Sequence, residues 1–290
     1  MNGRPVAGRS RTPIPGRRTR PIRRASAGLS AVRAGAGLAM LLSAAAIYGV
    51  GASSAFEYTK LDLKGLTFTD QNAVEAALAG ARGQNVFGLS TTPLVTALEK
   101  MPTVSGARVQ VQLPGTLAVS IDERKPVLVW KVDQDRYLVD SGGTLFAKLP
   151  AEAPPAAGAL PVVDDRRASA KIVSVGGHLD PVDLDAATRL ASLRPADVGS
   201  SAVSLGLTVS DENGFVLDAR PPGWSAVFGF YTPSLRTTEL IPEQVRLLRS
   251  LLAGREEAVS RVILASGTDG TYTPRSTPSP SKSPKPSKRP

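Results

Sequence analysis

The chain contains no cysteine among its 290 residues and only one histidine, His178. Without cysteine there is no disulfide bond, no thiolate metal site and no cysteine nucleophile. A single histidine also leaves no second imidazole with which to hold a metal ion. The fold must therefore depend on its apolar core, and the hydrophobic content of 42% is sufficient for one.

Acidic residues are absent from both ends of the chain, which carries a formal charge of +10 as a whole. Residues 1–33 hold nine arginines, and residues 274–290 hold five lysines and arginines. Removing these 14 from the 35 basic residues leaves 21 against 25 acidic ones, so the middle of the chain has a net charge of −4. A nucleic-acid-binding body would show the opposite distribution, and we expect no nucleic-acid partner for this one.

One long stretch, Ala34–Phe56, lacks charged residues altogether. As a helix rising ~1.5 Å per residue it would be roughly 34 Å long, enough to cross a ~30 Å hydrocarbon core. Arginines precede it closely, and Arg23, Arg24 and Arg33 are the candidate membrane-flanking residues. Positive residues beside a span stay in the cytoplasm, so the pattern predicts a cytoplasmic amino terminus and an extracytoplasmic body.

A cleavable signal peptide is the alternative interpretation of this stretch. Ser53-Ser54-Ala55 offers small residues for cleavage, and Arg23-Arg24 is similar to part of a twin-arginine signal. However, the apolar run exceeds the ~7–15 residues of a usual signal, and the basic segment before it is unusually long. We therefore predict a disordered cytoplasmic tail over 1–33 and a retained transmembrane helix over 34–56.

Residues 57–124 have the pattern of a compact α/β module. Alternating polar and apolar residues predict strands at 60–66, 107–113 and 117–123. Two helices are predicted between the first two strands, the first of them capped by Thr69 or Asp70. The order strand, helix, helix, strand, strand places both helices on one face of a small sheet.

Residues 125–267 predict a mixed α/β domain built on an antiparallel sheet, which makes the fold class α+β. The predicted elements are a meander over 127–146, a short strand at 172–175, a helix at 182–193, strands at 203–209, 214–219 and 225–230, a helix at 241–253 and a last strand at 258–265. Residues 268–290 are rich in threonine, proline, serine and lysine, a composition that predicts a second disordered tail.

Several motifs together resemble the FtsQ/DivIB family of bacterial cell-division proteins, and residues 57–124 resemble its POTRA domain. The motifs are Leu63-Lys64-Gly65-Leu66, Asn85-Val86-Phe87-Gly88-Leu89, the run from Leu113-Pro114-Gly115 to Glu123-Arg124-Lys125-Pro126, and the run from Val139-Asp140-Ser141 to Leu145-Phe146. The resemblance covers most of the chain, although the family's usual Asp-Leu-Arg ending is replaced by Val262-Ile263-Leu264-Ala265.

This resemblance implies a non-enzymatic single-span scaffold at the division septum. Such a scaffold joins other single-span division proteins, of the FtsB and FtsL kind, outside the membrane and helps to control septal wall synthesis. The resemblance also implies that the last strands dock a small coiled-coil partner, because an edge strand presents unpaired N–H and C=O groups. The candidate edge residues are Val259, Ser260, Arg261, Val262, Ile263 and Leu264, and the alternative is an interior strand that closes the sheet.

Two motifs are similar to catalytic or metal-binding sites. Asp140-Ser141-Gly142-Gly143 resembles a protease loop, but His178 follows the serine where a chymotrypsin-like order places it before, and a second aspartic-protease loop is missing. We interpret the motif as a turn between strands. Gly176-Gly177-His178 has no second histidine beside it, and Asp180, Asp183 and Asp185 after it are expected to cap a helix.

Asp122 and Glu123 are a third candidate, as paired carboxylates. Adjacent strand residues point to opposite faces, so the two carboxylates cannot meet one substrate, and a strand end or a hinge between domains is the expected reading. We predict no catalytic residue, no cofactor and no metal site. The alternative functions are a POTRA-bearing secretion or assembly chaperone and a membrane-anchored hydrolase.

Overall fold

The computed structural model describes residues 31–150 and 158–275, which divide into one unit that ends at Ala52 and another that begins at Ser53. The first unit is a single 22-residue helix, α1 (Ala31–Ala52). An 18-residue stretch of this helix has a mean hydropathy of 1.6. Its length and composition suit a membrane crossing. Arg33 lies in its first turn, whereas Arg23 and Arg24 lie outside the described residues.

The helix ends four residues before the predicted end of the span, Phe56. Ser53 is extended, and its hydroxyl accepts a hydrogen bond from the Ala55 N–H, which starts a short 3₁₀ turn at Ser54–Phe56. The Phe56 ring then packs edge-on against Phe87, with 5.1 Å between ring centroids, in the core of the domain that follows. A serine that caps the next turn, and an aromatic ring recruited by that core, explain why the helix stops at Ala52.

The second unit contains four α-helices and twelve β-strands among the described residues. The helices are α2 (Gln71–Leu78), α3 (Thr92–Glu99), α4 (Pro181–Ala191) and α5 (Ile241–Leu252). The strands are β1 (Lys60–Lys64), β2 (Val104–Gln112), β3 (Thr116–Glu123), β4 (Pro126–Val132), β5 (Asp135–Asp140), β6 (Leu145–Lys148), β7 (Val162–Asp165), β8 (Ser204–Ser210), β9 (Gly214–Arg220), β10 (Ser225–Gly229), β11 (Val259–Leu264) and β12 (Gly270–Pro274).

The first three strands form a small sheet in the order β1-β3-β2, with β1 parallel to β3. Helices α2 and α3 cover it, and Val74, Leu78, Leu98 and Leu117 are buried between helices and sheet. Asp70 caps α2 by accepting a hydrogen bond from the Asn72 N–H at 3.2 Å. The predicted order of strands and helices is confirmed.

The other nine strands form one mixed sheet in the order β12-β11-β10-β9-β8-β7-β4-β5-β6. Five neighbouring pairs are antiparallel, and three (β4–β7, β7–β8 and β10–β11) are parallel. Helices α4 and α5 pack on one face of this sheet, where the largest buried side chains are Trp130, Phe215, Trp224 and Phe228. The α+β fold class is therefore confirmed, although parallel pairs interrupt the predicted antiparallel sheet.

Two local predictions were wrong. No strand forms at 172–175, because the Val173 N–H closes a 3₁₀ turn onto Ala170 and the Ile172 side chain is 86% exposed. A strand lies instead at β7, which pairs in parallel with both β4 and β8. In addition, β12 lies inside the segment 268–290 for which we predicted disorder, and residues 276–290 are outside the described part of the chain.

Candidate protein-interaction site

The predicted edge strand is not at the edge of the sheet. β11 lies between β10, to which it is parallel, and β12, to which it is antiparallel. The chain reverses after β11 because the Ser266 N–H donates to the Asp269 carbonyl at 3.1 Å and the Ser266 hydroxyl accepts from the Asp269 N–H at 2.9 Å. The alternative of an interior strand is therefore the observed one.

The six candidate residues of β11 divide between the two faces of the sheet. Val259, Val262 and Leu264 are buried on the helix side, in the main core. On the other face Ile263 is 43% exposed, and the Arg261 guanidinium donates to the Asn213 side-chain oxygen at 2.6 Å. The Ser260 hydroxyl bonds to the Thr273 carbonyl at 3.0 Å, which ties β11 to β12. These residues hold the hairpin together rather than offer a free backbone.

The free edge belongs to β12. Within the described ranges no strand pairs with its outer side, and every residue after Gly270 is exposed. A short alternating run, Thr271-Tyr272-Thr273, after a turn that contains Gly267 and Gly270 is the sequence signal that could have predicted this strand.

The orientation of the β12 backbone follows from one hydrogen bond. The Arg275 N–H donates to the Ala258 carbonyl at 2.6 Å, toward the β11 side. Antiparallel pairs alternate along a strand, so the N–H groups of Thr273 and Thr271 also point toward β11. The Tyr272 N–H and C=O then face the free edge. Pro274 occupies the next edge-facing position, where its missing N–H costs no ladder bond.

The end of β12 is fastened by two arginines. The Arg275 guanidinium donates to the Gly223 carbonyl at 3.0 Å and to the Val259 carbonyl at 3.3 Å. The Arg255 guanidinium lies over the Tyr272 ring, 5.5 Å from its centroid. The free edge is therefore an ordered surface.

A second constellation joins the POTRA-like module to the large sheet. The Glu123 carboxylate, at the end of β3, accepts hydrogen bonds from the backbone N–H groups of Thr67, Phe68 and Thr69, at 2.9, 2.9 and 2.7 Å. Burial alone would raise the pKa of this carboxyl, but these hydrogen bonds outweigh it and hold the pKa below its ordinary value. The Phe68 ring, positioned by this loop, packs edge-on against Phe146 of the large sheet.

The next residue faces the other domain. The Arg124 guanidinium donates to the Pro102 carbonyl at 2.8 Å and to the Asp140 carboxylate at 2.7 Å. Asp140 also accepts from the N–H groups of Gly142 and Thr144, at 3.0 and 2.8 Å. Burial would raise the Asp140 pKa, but Arg124 and these N–H groups hold it below its ordinary value. We call Glu123, Arg124 and Asp140 the joint. Glu123 and Arg124, at the end of β3, bind the loops of the POTRA-like module, and Arg124 also binds Asp140 of the large-sheet domain.

The joint accounts for the motif that is similar to a protease loop. The Asp140 carboxylate closes its own turn and binds Arg124, so it serves a structural contact. The ring nitrogen Nε2 of His178 lies 3.3 Å from the Thr144 hydroxyl. Asp180 caps α4 as predicted, whereas Asp183 and Asp185 bind Arg167 and Arg189 instead. In the described parts of the chain no three metal-binding side chains gather.

One apolar helix that is long enough to cross a membrane, a small sheet covered by two helices and a large mixed sheet are the architecture of a protein with a POTRA domain and one candidate membrane span. The comparisons agree, since the family model for the FtsQ-type POTRA domain matches residues 56–124. A cell division protein FtsQ of Chloroflexus aggregans is 32% identical over 193 residues, which cover 64% of this chain and 67% of the relative.

Two further relatives carry the same name. The FtsQ of Chloroflexus aurantiacus is 26% identical over 245 residues, or 84% of this chain and 80% of the relative. That of Mycobacteroides abscessus is 32% identical over 130 residues, or 43% and 41%. The chain therefore belongs to the FtsQ family of cell-division proteins and has a role in cell division.

Proposed function

We propose that this protein is a non-enzymatic scaffold of the division septum. It spans the plasma membrane once through α1, with the arginine-rich amino terminus in the cytoplasm and the two folded domains outside. The arginines before the span support this orientation. Outside the membrane the protein joins other single-span division proteins, of the FtsB and FtsL kind, and helps to control septal wall synthesis.

The free edge of β12 carries this proposal. An ordered edge strand that ends a nine-stranded sheet is suited to accept a partner strand through main-chain hydrogen bonds. The edge-facing N–H and C=O of Tyr272 supply the bonds, and the exposed Thr271 and Thr273 side chains contact the partner's side chains. The docking edge proposed from sequence at Val259–Leu264 thus moves one strand outward, while β11 supports it.

A pair of proline substitutions tests the docking edge. Tyr272→Pro removes an N–H that faces the free edge, whereas Thr271→Pro removes one that bonds to β11. We expect Tyr272→Pro to leave the thermal unfolding midpoint of the purified full-length chain nearly unchanged and to abolish mid-cell recruitment of the FtsB-like and FtsL-like proteins. Thr271→Pro should lower the midpoint as well.

Two controls accompany these variants. Tyr272→Ala removes the ring that stacks on Arg255 but keeps the N–H, so recruitment should persist. Lys148→Pro places a proline on β6 at the opposite edge of the sheet, where the Leu149 N–H bonds inward to Arg136 and the Lys148 N–H therefore faces outward. Normal recruitment by folded Tyr272→Pro would contradict the proposal, and so would a loss with Lys148→Pro that equals the loss with Tyr272→Pro.

A further inference from the structure

The carbonyl groups at the ends of β10 and β11 are held by two side chains from outside the sheet. These strands are parallel and paired over Ser225–Val227 and Arg261–Ile263, so the carbonyls of Phe228 and Leu264 lie together just beyond the paired residues. The Arg236 guanidinium nitrogen Nη2 donates to both, at 2.6 and 2.7 Å. Its other terminal nitrogen, Nη1, donates to the Ala265 carbonyl at 2.6 Å.

Gln244 of α5 binds the same two carbonyls from the core. Its side-chain nitrogen donates to Phe228 at 3.3 Å and to Leu264 at 3.1 Å, and the residue is fully buried. The Tyr231 hydroxyl donates to the Gln244 side-chain oxygen at 2.7 Å, which fixes the amide orientation. Burial raises the pKa of Tyr231, so this hydroxyl keeps its proton at neutral pH. We call Arg236, Gln244 and Tyr231 the carbonyl clamp.

The clamp binds the chain at the point where the β11–β12 hairpin begins. Leu264 is the last residue of β11 and lies opposite Gly270, the first residue of β12. Arg236 also belongs to a closed loop, because the Thr232 N–H donates to the Arg236 carbonyl at 2.9 Å and the Thr232 hydroxyl accepts from the Arg236 N–H at 3.2 Å. The backbone of Arg236 is therefore held by its own loop, independently of the hairpin that its guanidinium binds.

β12 has little else to hold it. Its residues after Gly270 are exposed, and its inner contacts are the β11 ladder and the arginines at its far end. Near the hairpin turn Gly267 and Gly270 lie close to α5, where an added Cβ would come within 2.7 Å of the Glu243 Cβ and within 3.1 Å of Leu251, respectively. The position of the free edge at this end thus depends on these two close approaches to α5 and on where Leu264 and Ala265 are held.

We infer that Arg236 is a positioning residue for partner docking, since its guanidinium fixes the β11–β12 hairpin so that the edge of β12 is ready for a partner strand. This inference rests on the proposed function, because it concerns the same edge. Fixing the strand beforehand lowers the ordering cost of association. Arg236 itself does not touch the partner; it acts through the carbonyls of Leu264 and Ala265.

The test compares Arg236→Met with Arg236→Lys and with Arg246→Met, a matched control on the exposed side of α5 whose Nε lies 3.4 Å from the Pro242 carbonyl within its own helix. Amide hydrogen exchange of the full-length chain gives the positioning readout, and mid-cell recruitment of the FtsB-like and FtsL-like proteins gives the docking readout. Arg236→Met should speed exchange of the Thr271 and Thr273 amides by roughly 10- to 100-fold. Exchange in β4 and β5 should not change.

Recruitment should weaken in parallel with exchange, Arg236→Lys should restore part of both, and Arg246→Met should change neither. Unchanged exchange at Thr271 and Thr273 in Arg236→Met overturns the inference, whatever the partner does. If exchange rises while recruitment stays normal, the inference is also overturned. Recruitment of the partners by the Tyr272→Pro variant then shows whether the proposal that they dock on β12 is contradicted as well. If Arg236→Met unfolds the sheet, exchange in Arg236→Lys decides, and protection at the level of the unsubstituted chain refutes the inference.

Discussion

Breaking the joint should uncouple the two domains outside the membrane. Arg124→Met keeps the apolar part of the side chain but removes the guanidinium that binds the Pro102 carbonyl and the Asp140 carboxylate. The substitution leaves Asp140 ionised beside two N–H groups, with its countercharge gone. Because Arg124 follows the last strand of one domain and Asp140 ends β5 of the other, the lost contact lies between domains.

The magnitude follows from how deeply the pair is buried. The Arg124 side chain is 29% exposed and that of Asp140 is 11% exposed. A fully exposed pair contributes about 0–1 kcal/mol, whereas breaking a fully buried one costs about 3–5 kcal/mol. Partial burial on both sides places the expected loss near 2 kcal/mol. In Glu123→Gln an amide replaces the carboxylate that accepts from several backbone N–H groups, and the NH₂ group of the amide cannot accept a hydrogen bond. This substitution should lower the free energy of unfolding by about the same amount.

Urea unfolding of the full-length chain in detergent measures this loss. We expect the folded region to unfold in one transition when the joint is intact. Arg124→Met should shift the POTRA transition to lower urea and separate it from that of the large sheet. The Asp140 and Glu123 pKa values lie below their ordinary values, so their stabilisation is complete at neutral pH and is lost as pH falls through the folded-state pKa. The difference between the original chain and the variants should therefore shrink in acid.

Lys125→Met is the matched control, because Lys125 is the exposed neighbour of Arg124. It should leave the unfolding curve unchanged. The reasoning is refuted if Arg124→Met and Glu123→Gln both unfold in one transition within about 0.3 kcal/mol of the original chain, a difference typical of a neutral surface substitution. A difference that grows as the pH is lowered would refute the assignment of the effect to these two carboxylates.

Three other outcomes are expected. Glu256→Gln should cost about 1–2 kcal/mol in urea unfolding at neutral pH, because the Glu256 carboxylate binds the indole N–H of buried Trp224 and two serines. Burial would raise its pKa, but these donors lower it from 4.5 to about 2, so the variant should lose less stability than the original chain between those pH values. Gly65→Ala should cost about 3 kcal/mol in the same assay, because Gly65 has φ +89° and an added Cβ would lie 2.2 Å from the Ile121 carbonyl oxygen. Replacing Ala31–Ala52 by an unrelated apolar helix of equal length tests whether the small residues of α1 contact partner spans: mid-cell localisation should weaken, and unchanged localisation would reduce α1 to a tether.

The POTRA domain could be predicted almost completely from the sequence because its signals are local. Strict alternation in β2 and β3, a proline-glycine turn between them and Asp70 as a helix cap each specify structure within a few residues. The large sheet follows the same rule where hairpins join consecutive strands, as in β4–β5 and β8–β9. Strands were predicted correctly where they pair with a neighbour in the chain and also carry a clear alternating pattern, which β12 lacks.

The missed strands have distant partners or weak patterns. β7 is four residues long, ends in two aspartates and pairs in parallel with β4 and β8, from which it is separated in sequence. β12 is mostly threonine, glycine and proline, a composition that is also typical of a tail. Its placement depends on a serine-based turn and on the carbonyl clamp, which bring it beside β11. The candidate docking site was therefore predicted one strand away from the free edge.

The joint shows how one local rule gives both an exclusion and an incomplete prediction. Neighbouring strand residues point to opposite faces, which is why Asp122 and Glu123 cannot act as one catalytic pair. The same alternation lets Glu123 and Arg124 reach opposite ways, one to the loop at Thr67–Thr69 and the other to Asp140. Asp140 binds Arg124, which lies sixteen positions earlier in the chain. This contact explains why the turn contains an aspartate without a catalytic role for it. Sequence geometry thus predicts that a strand end can link two domains, but only the tertiary fold specifies what each side chain binds.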